Sequence, residues 1–201
     1  HDLDGVIAGY FARKNKSKII FDMHEFYEVN GRNQKFRYLV RIIVNYFQNK
    51  SDYIIYVNEA QTDVISDRNK RRLVYLPNYP EVENYNGCEK TESDKLRISY
   101  IGAVRQYAEL KNLMDACRNI DNVNVSIHGS GVAYKNLNDI KKEYNNVFVT
   151  GKYDFSESAK LYNETDILYA LYPTSSIQYI ISYPVKFFEA IITKTPIIVN
   201  R

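Results

Sequence analysis

Short runs rich in β-branched and aromatic residues recur along this chain, separated by stretches whose apolar residues return every three or four positions. Strand patterns alternating with helical ones predict an α/β fold with parallel strands, because parallel neighbours need a crossover connection. In the first part the pattern predicts helix Asp2–Lys14, its start capped by Asp2 or Asp4, and strand Lys18–Met23. Helix Asn33–Asn49, strand Tyr53–Val57, helix Glu59–Arg68 and strand Leu73–Leu76 follow. Pro77-Asn78-Tyr79-Pro80 then breaks the rhythm, and the polar stretch as far as Asp94 reads as a linker.

A second series follows at tighter spacing. It predicts strand Arg97–Ile101, then a helix whose Leu110, Leu113, Met114 and Cys117 form one buried face. Strand Val123–His128, a helix to about Tyr144, strand Val147–Thr150 and helix Ser156–Tyr162 come next. Strand Asp166–Tyr172, helix Pro184–Thr193 and strand Pro196–Val199 complete the pattern. Three of these strands end at glycine: Gly102, the pair Gly129 and Gly131, and Gly151. Ligands of open α/β sheets sit at such carboxyl ends, where backbone can approach and helix N-termini favour phosphate.

Composition narrows this picture only a little. At 201 residues, 45% apolar and 25% charged, the chain is globular rather than disordered, and its net charge of +3 does not argue for nucleic acid. Heavy use of Lys, Asn, Ile and Tyr, with 19 Tyr and no Trp, matches an AT-rich bacterial genome. Cys88 lies in a polar stretch and Cys117 on an apolar helix face, so neither a disulfide nor a metal site is expected, and a reducing cytoplasm fits. No run approaches the ~18 apolar residues of a membrane span. His1 and Arg201 both fall at element boundaries, as if cut from a longer protein.

Several motifs are weaker than they look. Asp2-Leu3-Asp4 is a D-x-D, but it opens a helix, where capping explains it better than metal binding. Gly129-Ser130-Gly131 lacks the third glycine and the acidic partner of a dinucleotide fingerprint. His128, ahead of that turn, reads as structural. No Cys/His cluster has zinc spacing, and no G-x-S-x-G is present.

Five short segments in order carry a family resemblance. They are His1-Asp2-Leu3-Asp4, Asp22-Met23-His24-Glu25, Val57-Asn58-Glu59 with Leu76-Pro77-Asn78, Ile98 to Gly102 followed by Arg105, and Tyr183 to Ala190 before Pro196-Ile197-Ile198-Val199. Together they resemble family-four glycosyltransferases of the GT-B type, in particular those of bacterial capsule and exopolysaccharide synthesis. The resemblance implies two Rossmann-like domains with parallel sheets, both incomplete. Residues 1–78 would be the back part of the acceptor-side domain, 79–94 a linker, and 95–201 most of the nucleotide-sugar domain.

It also implies a reaction and roles. A hexose would pass from a nucleotide diphosphate sugar to a glycan or lipid-linked acceptor, with retention and with no metal or other cofactor. Arg105 and Lys186 would neutralise the diphosphate, and an arginine fork suits phosphate. Glu189 would hold the ribose, Gly102 would bring backbone close, and the loop of Lys152 and Tyr153 would pass beside the base. His24, with Glu25 and His1, would face the sugar or acceptor. Many family members carry a second glutamate eight residues before the first; here that position is Ile181. A GT-B epimerase or a non-catalytic nucleotide- or glycan-binding module would share these features.

One helix suggests a further partner. From Gly31 to Lys50 there are five basic residues (Arg32, Lys35, Arg37, Arg41, Lys50) and no acidic one, interleaved with aromatic and aliphatic side chains. Asn33–Asn49 would therefore touch the inner face of the cell membrane if Tyr38, Ile42 and Tyr46 face solvent, and would be an ordinary core helix if they are buried.

Overall fold

The computed structural model describes residues 1–25, 34–87, 89–173 and 183–200. They fall into two compact units, one built on residues 1–78 and the other on residues 79–173 and 184–200.

In the first unit, strands β1 (Ile20–Met23), β2 (Tyr53–Tyr56) and β3 (Leu73–Tyr75) form a parallel sheet in that order. Helices α1 (Asp2–Ala12) and α2 (Gln34–Lys50) supply the other half of its core. Phe21 and Met23 are buried with Val6, Val44, Phe47 and Ile54. The two-residue period of β1 turns Asp22, between them, to the other face, where it stays half-buried.

Two expectations fail here, each because a side chain has another partner. No side chain caps α1; the Asp2 carboxylate instead accepts the His24 backbone N–H at 3.0 Å. The helix expected over 59–68 is two short 3₁₀ turns, Glu59–Val64 and Asp67–Arg72. Buried Gln61 ties the first turn down: its Oε1 accepts from the Val57 and Asn58 N–H groups, and its Nε2 donates to the Met23 carbonyl.

In the second unit, β4 (Leu96–Ile101), β5 (Val123–His128), β6 (Val147–Gly151), β7 (Ile167–Tyr169) and β8 (Ile197–Ile198) form one parallel sheet in the order β6-β5-β4-β7-β8. Helix α3 (Tyr107–Cys117) buries Leu110, Leu113, Met114 and Cys117, the face expected from their spacing. With α4 (Tyr134–Ile140) it packs on Ile98, Val125, Ile127 and Val149. Helices α5 (Ser158–Asn163) and α6 (Val185–Ile192) contribute Tyr162 and Ala190 to a second cluster with Ile101 and Leu168. The stretch read as a linker packs on this unit: Tyr85 is buried, and the Lys90 ammonium donates to the carbonyls of Tyr162 and Thr165 and to the Thr195 hydroxyl. Cys117 is a free, buried thiol whose pKa burial raises; Cys88 and Ile181 lie outside the described residues.

The strand order decides where a ligand belongs. It runs outward from β4 in both directions, so consecutive crossovers diverge between β4 and β7, and ligands of such sheets bind in the crevice at the carboxyl ends of those strands. The turns at that edge are tightly joined. Gly102 N–H donates to the His128 carbonyl, Val104 N–H to that of Ser130, and Gly129 N–H to that of Gly151. Gly129 has φ +134°, and a Cβ there would stand 1.8 Å from the Gly102 carbonyl oxygen, so only glycine lets the two turns approach.

Candidate functional site

At the β4–β7 crevice, α6 presents a buried cation. Lys186 lies in the first turn of α6 and is only 9% exposed. Its Nζ sits 3.9 Å from the centroid of the Tyr100 ring and 5.6 Å from that of Tyr172, both aromatic faces that attract a cation. A Cβ on Gly102, where φ is +134°, would come within 3.3 Å of that Nζ, so the turn after β4 leaves its backbone open beside the ammonium. Burial lowers the Lys186 pKa to about 8, against a smaller opposing pull from Glu189. The first turn of α6 has no acidic residue, and Pro184 at its N-cap makes no side-chain cap hydrogen bond. Lysine and helix N-terminus thus put positive charge at one place.

One helical turn on, Glu189 is buried among tyrosines. Its Oε1 accepts the Tyr85 hydroxyl at 2.6 Å, and its Oε2 accepts the Tyr162 hydroxyl at 2.9 Å. Burial, followed by the Glu189 contacts, pushes both tyrosine pKa values up. Tyr153 is half-buried beside them, its pKa raised first by burial and then by the Glu189 charge. A carboxylate has about four acceptor sites, so two remain on Glu189 after both tyrosines are served.

The other expected residues of this unit are less enclosed. Arg105 is exposed between β4 and α3 and makes no hydrogen bond or ion pair among the described residues. Lys152 is exposed after β6. His128 bonds the Thr150 hydroxyl through Nδ1 at 3.0 Å, and burial lowers its pKa. Among the described residues, hollows also lie elsewhere. One is an apolar hollow beside β8 lined by Phe187, Ile191 and Val199, and another is a polar groove of about 260 Å³ lined by Arg97, Ser126, His128 and Glu164.

The first unit holds a separate constellation at the carboxyl end of β1. Asp22 joins two histidines: Oδ2 lies 3.0 Å from His1 Nδ1, and Oδ1 lies 3.1 Å from His24 Nε2. The two imidazole rings are 4.7 Å apart. Asn78 Nδ2 approaches His24 Nδ1 at 3.3 Å. With the Asn78 amide donating there, His24 carries its proton on Nε2 and gives it to Asp22. His1 likewise directs Nδ1–H to Asp22, and its side chain is 73% exposed. His24 is therefore held on both nitrogens, whereas the outer nitrogen of His1 is the one placed to meet a ligand. Glu25 is exposed beside them. His1, Asp22 and His24 are also, among the described residues, the group whose donor atoms lie close enough to hold a metal ion, all within 4.8 Å.

Sequence reasoning placed His1 and His24 in one site but left Asp22 as a motif letter and gave no role to Asn78, Tyr85, Tyr100 or Tyr162. Asp22 carried a signal, a charged residue in an otherwise apolar strand.

No family model matches the sequence, and no curated protein matches it. Solved structures do resemble the fold. Anabaena HepE, in complex with UDP and glucose, aligns with a TM-score of 0.67 at 13% identity over 97% of this chain and 55% of its own. A TarM variant from S. aureus, in complex with fondaparinux, alpha-GlcNAc-glycerol and UDP, aligns with 0.67 at 16% identity over 97% and 39%. Sucrose-phosphate synthase from Thermosynechococcus elongatus aligns with 0.69 at 13% identity over 98% and 54%. These are GT-B glycosyltransferases, and the present chain has the GT-B fold while spanning about half the length of HepE and of the synthase.

Proposed function

We propose that this chain is the donor-binding part of a glycosyltransferase that moves a hexose from a nucleoside diphosphate sugar to a glycan or lipid-linked acceptor. The observation that carries the reading is the buried Lys186 ammonium, beside an open glycine turn, near the carboxyl ends of β4 and β7, where the strand order reverses. Burying a cation in a protein is costly unless an anion meets it, and a diphosphate is the anion a helix N-terminus and a glycine turn suit. UDP in the HepE and TarM structures supports the ligand class.

In this reading Lys186 and exposed Arg105 take up the charge that develops on the leaving diphosphate, a task for preorganised cations. Gly102 lets backbone approach it, Lys152 and Tyr153 border the base, and Glu189 offers its two remaining acceptor sites to ribose hydroxyls. His1 is the side chain that meets the sugar or acceptor, Asp22 and His24 hold it in one tautomer, and Glu25 adds negative charge nearby. No metal is needed for the diphosphate. Retention of configuration, a place in bacterial surface polysaccharide synthesis and a cytoplasmic setting complete the proposal.

A thermal-shift panel of UDP, GDP, ADP, CMP and their sugars, run in EDTA, tests it. A ligand that binds only the native state adds about 2.7 kcal/mol of stability at a hundred times its Kd. At least one nucleoside diphosphate should raise Tm with EDTA present. No shift with any of them, or a shift that appears only when Mn²⁺ is restored, would sink the reading.

A further inference from the structure

Strands of a parallel sheet are ordinarily apolar on both faces, because helices cover both. Strand β5 departs from that rule. Val123, Val125 and Ile127 are buried with α3 and α4, whereas Asn124, Ser126 and His128 between them are polar and half-buried. The register carries this second face across the sheet, with Arg97 beside Asn124 and Phe148 beside Ser126. These side chains line the polar groove of about 260 Å³, and Glu92 and Glu164 complete its lining. Lys186, Gly102 and Glu189 are not among the residues that form it.

The groove holds polar groups that the fold does not use. Among the described residues neither the Asn124 amide nor the Ser126 hydroxyl has a hydrogen-bond partner, and the Glu92 and Glu164 carboxylates accept no hydrogen bond. Arg97 brings no spare charge. Its Nε and Nη2 donate to the two Asp166 carboxylate oxygens at 3.1 and 2.7 Å. Phe148, 49% exposed, leaves an aromatic ring on the same face.

That inventory selects a ligand. Two acceptor-only carboxylates need donors, and with Arg97 neutralised by Asp166 they disfavour a phosphate or any other anion. An apolar ligand would leave the amide, the hydroxyl and the carboxylates unpaired, at a cost for each. The hydroxyls of a neutral sugar can donate to carboxylates and pair with amide and serine, while its C–H face lies on an aromatic ring. The volume is below the ~300–1,000 Å³ typical of ligand pockets, so it suits one sugar unit better than a nucleotide.

We propose that this groove is a glycan-binding site of the second unit, separate from the β4–β7 crevice and taking one unit of a neutral saccharide. Sugar would bind here whether or not a nucleotide binds the crevice, so the two readings stand or fall separately.

Proton–nitrogen correlation NMR of the 201-residue chain, titrated with maltose, lactose and N,N′-diacetylchitobiose in the absence of nucleotide, tests this. At least one of them should shift the amides of Asn124, Ser126, His128 and Phe148, saturating with a Kd on the order of 1 mM. Glucuronate, which is anionic, should bind more weakly than glucose. Phe148→Ala should weaken the saccharide at least about 5-fold and Glu164→Gln about 10-fold. Both alter exposed positions, so an unchanged melting profile shows that the fold is intact. Phe11→Ala, an exposed aromatic of the first unit, should leave binding as it was. No shift at about fifty times that Kd, shifts confined to the amides around Gly102 and Lys186, tighter binding of glucuronate than of glucose, or equal weakening by Phe11→Ala would each overturn the proposal.

Discussion

Replacing Lys186 by methionine should make the second unit more stable and, at the same time, unable to bind a nucleoside diphosphate. The stability half follows from the lysine's environment. Its pKa of about 8 lies well below that of a free lysine, so at neutral pH folding must hold a cation that burial disfavours. A depression of that size corresponds to about 3 kcal/mol, of which methionine, similar in length and apolar, should recover about 1–3 kcal/mol. The pH dependence has a definite sign. Below about pH 8 both folded and unfolded chains carry the proton and the cost is full. Between there and roughly pH 10.4 the unfolded chain holds more protons, so raising the pH stabilises the wild type and the advantage of Lys186→Met fades. Melting curves of the two proteins across that range, with and without UDP, check both halves. A wild type and variant with parallel pH profiles would mean that the cation is not held at a cost.

Glu189→Leu should have the opposite effect on stability. Tyr162 is fully buried and Tyr85 nearly so, so neither hydroxyl can turn to water if the carboxylate is removed. Leaving two buried hydroxyls without acceptors should cost about 2–5 kcal/mol, whereas Glu189→Gln, which can still pair with both, should cost about 1 kcal/mol. Alkali should act in the same direction. The raised tyrosine pKa values keep their stabilising contribution whole below about pH 10 and lose it as pH rises further, because the unfolded chain releases protons that the folded one retains. Chemical denaturation of the two variants is the measurement. If leucine is tolerated as well as glutamine, Glu189 is not holding the tyrosines.

The sequence was most legible where one periodicity and one environment act together. Leu110, Leu113, Met114 and Cys117 are read as a buried face from spacing alone, and they are one. The glycine turns after β4, β5 and β6 are legible for a related reason, since few residues besides glycine serve at such strand ends. Segment 59–68 was misread because the conformation of its first turn is set by Gln61 reaching the Met23 carbonyl, a partner 38 positions away that no local propensity can see. The tyrosines were hidden by composition. With 19 of them along the chain, nothing local distinguishes Tyr85 or Tyr162, at Glu189, from Tyr38, at the surface. For α2 the sequence supplied both a core face and a basic, aromatic outer one, and the structure buries Val44 and Phe47 and leaves Tyr38, Ile42 and Tyr46 exposed.

The central claim is that a nucleoside diphosphate occupies the β4–β7 crevice of the second unit. A crystal structure of this chain with UDP tests it most directly. The account predicts the diphosphate within hydrogen-bonding distance of Lys186 Nζ, beside the Gly102 turn and the first turn of α6. A nucleotide lodged instead in the groove of Arg97, Ser126 and His128, or against the histidines of the first unit with Lys186 still covered, would contradict it.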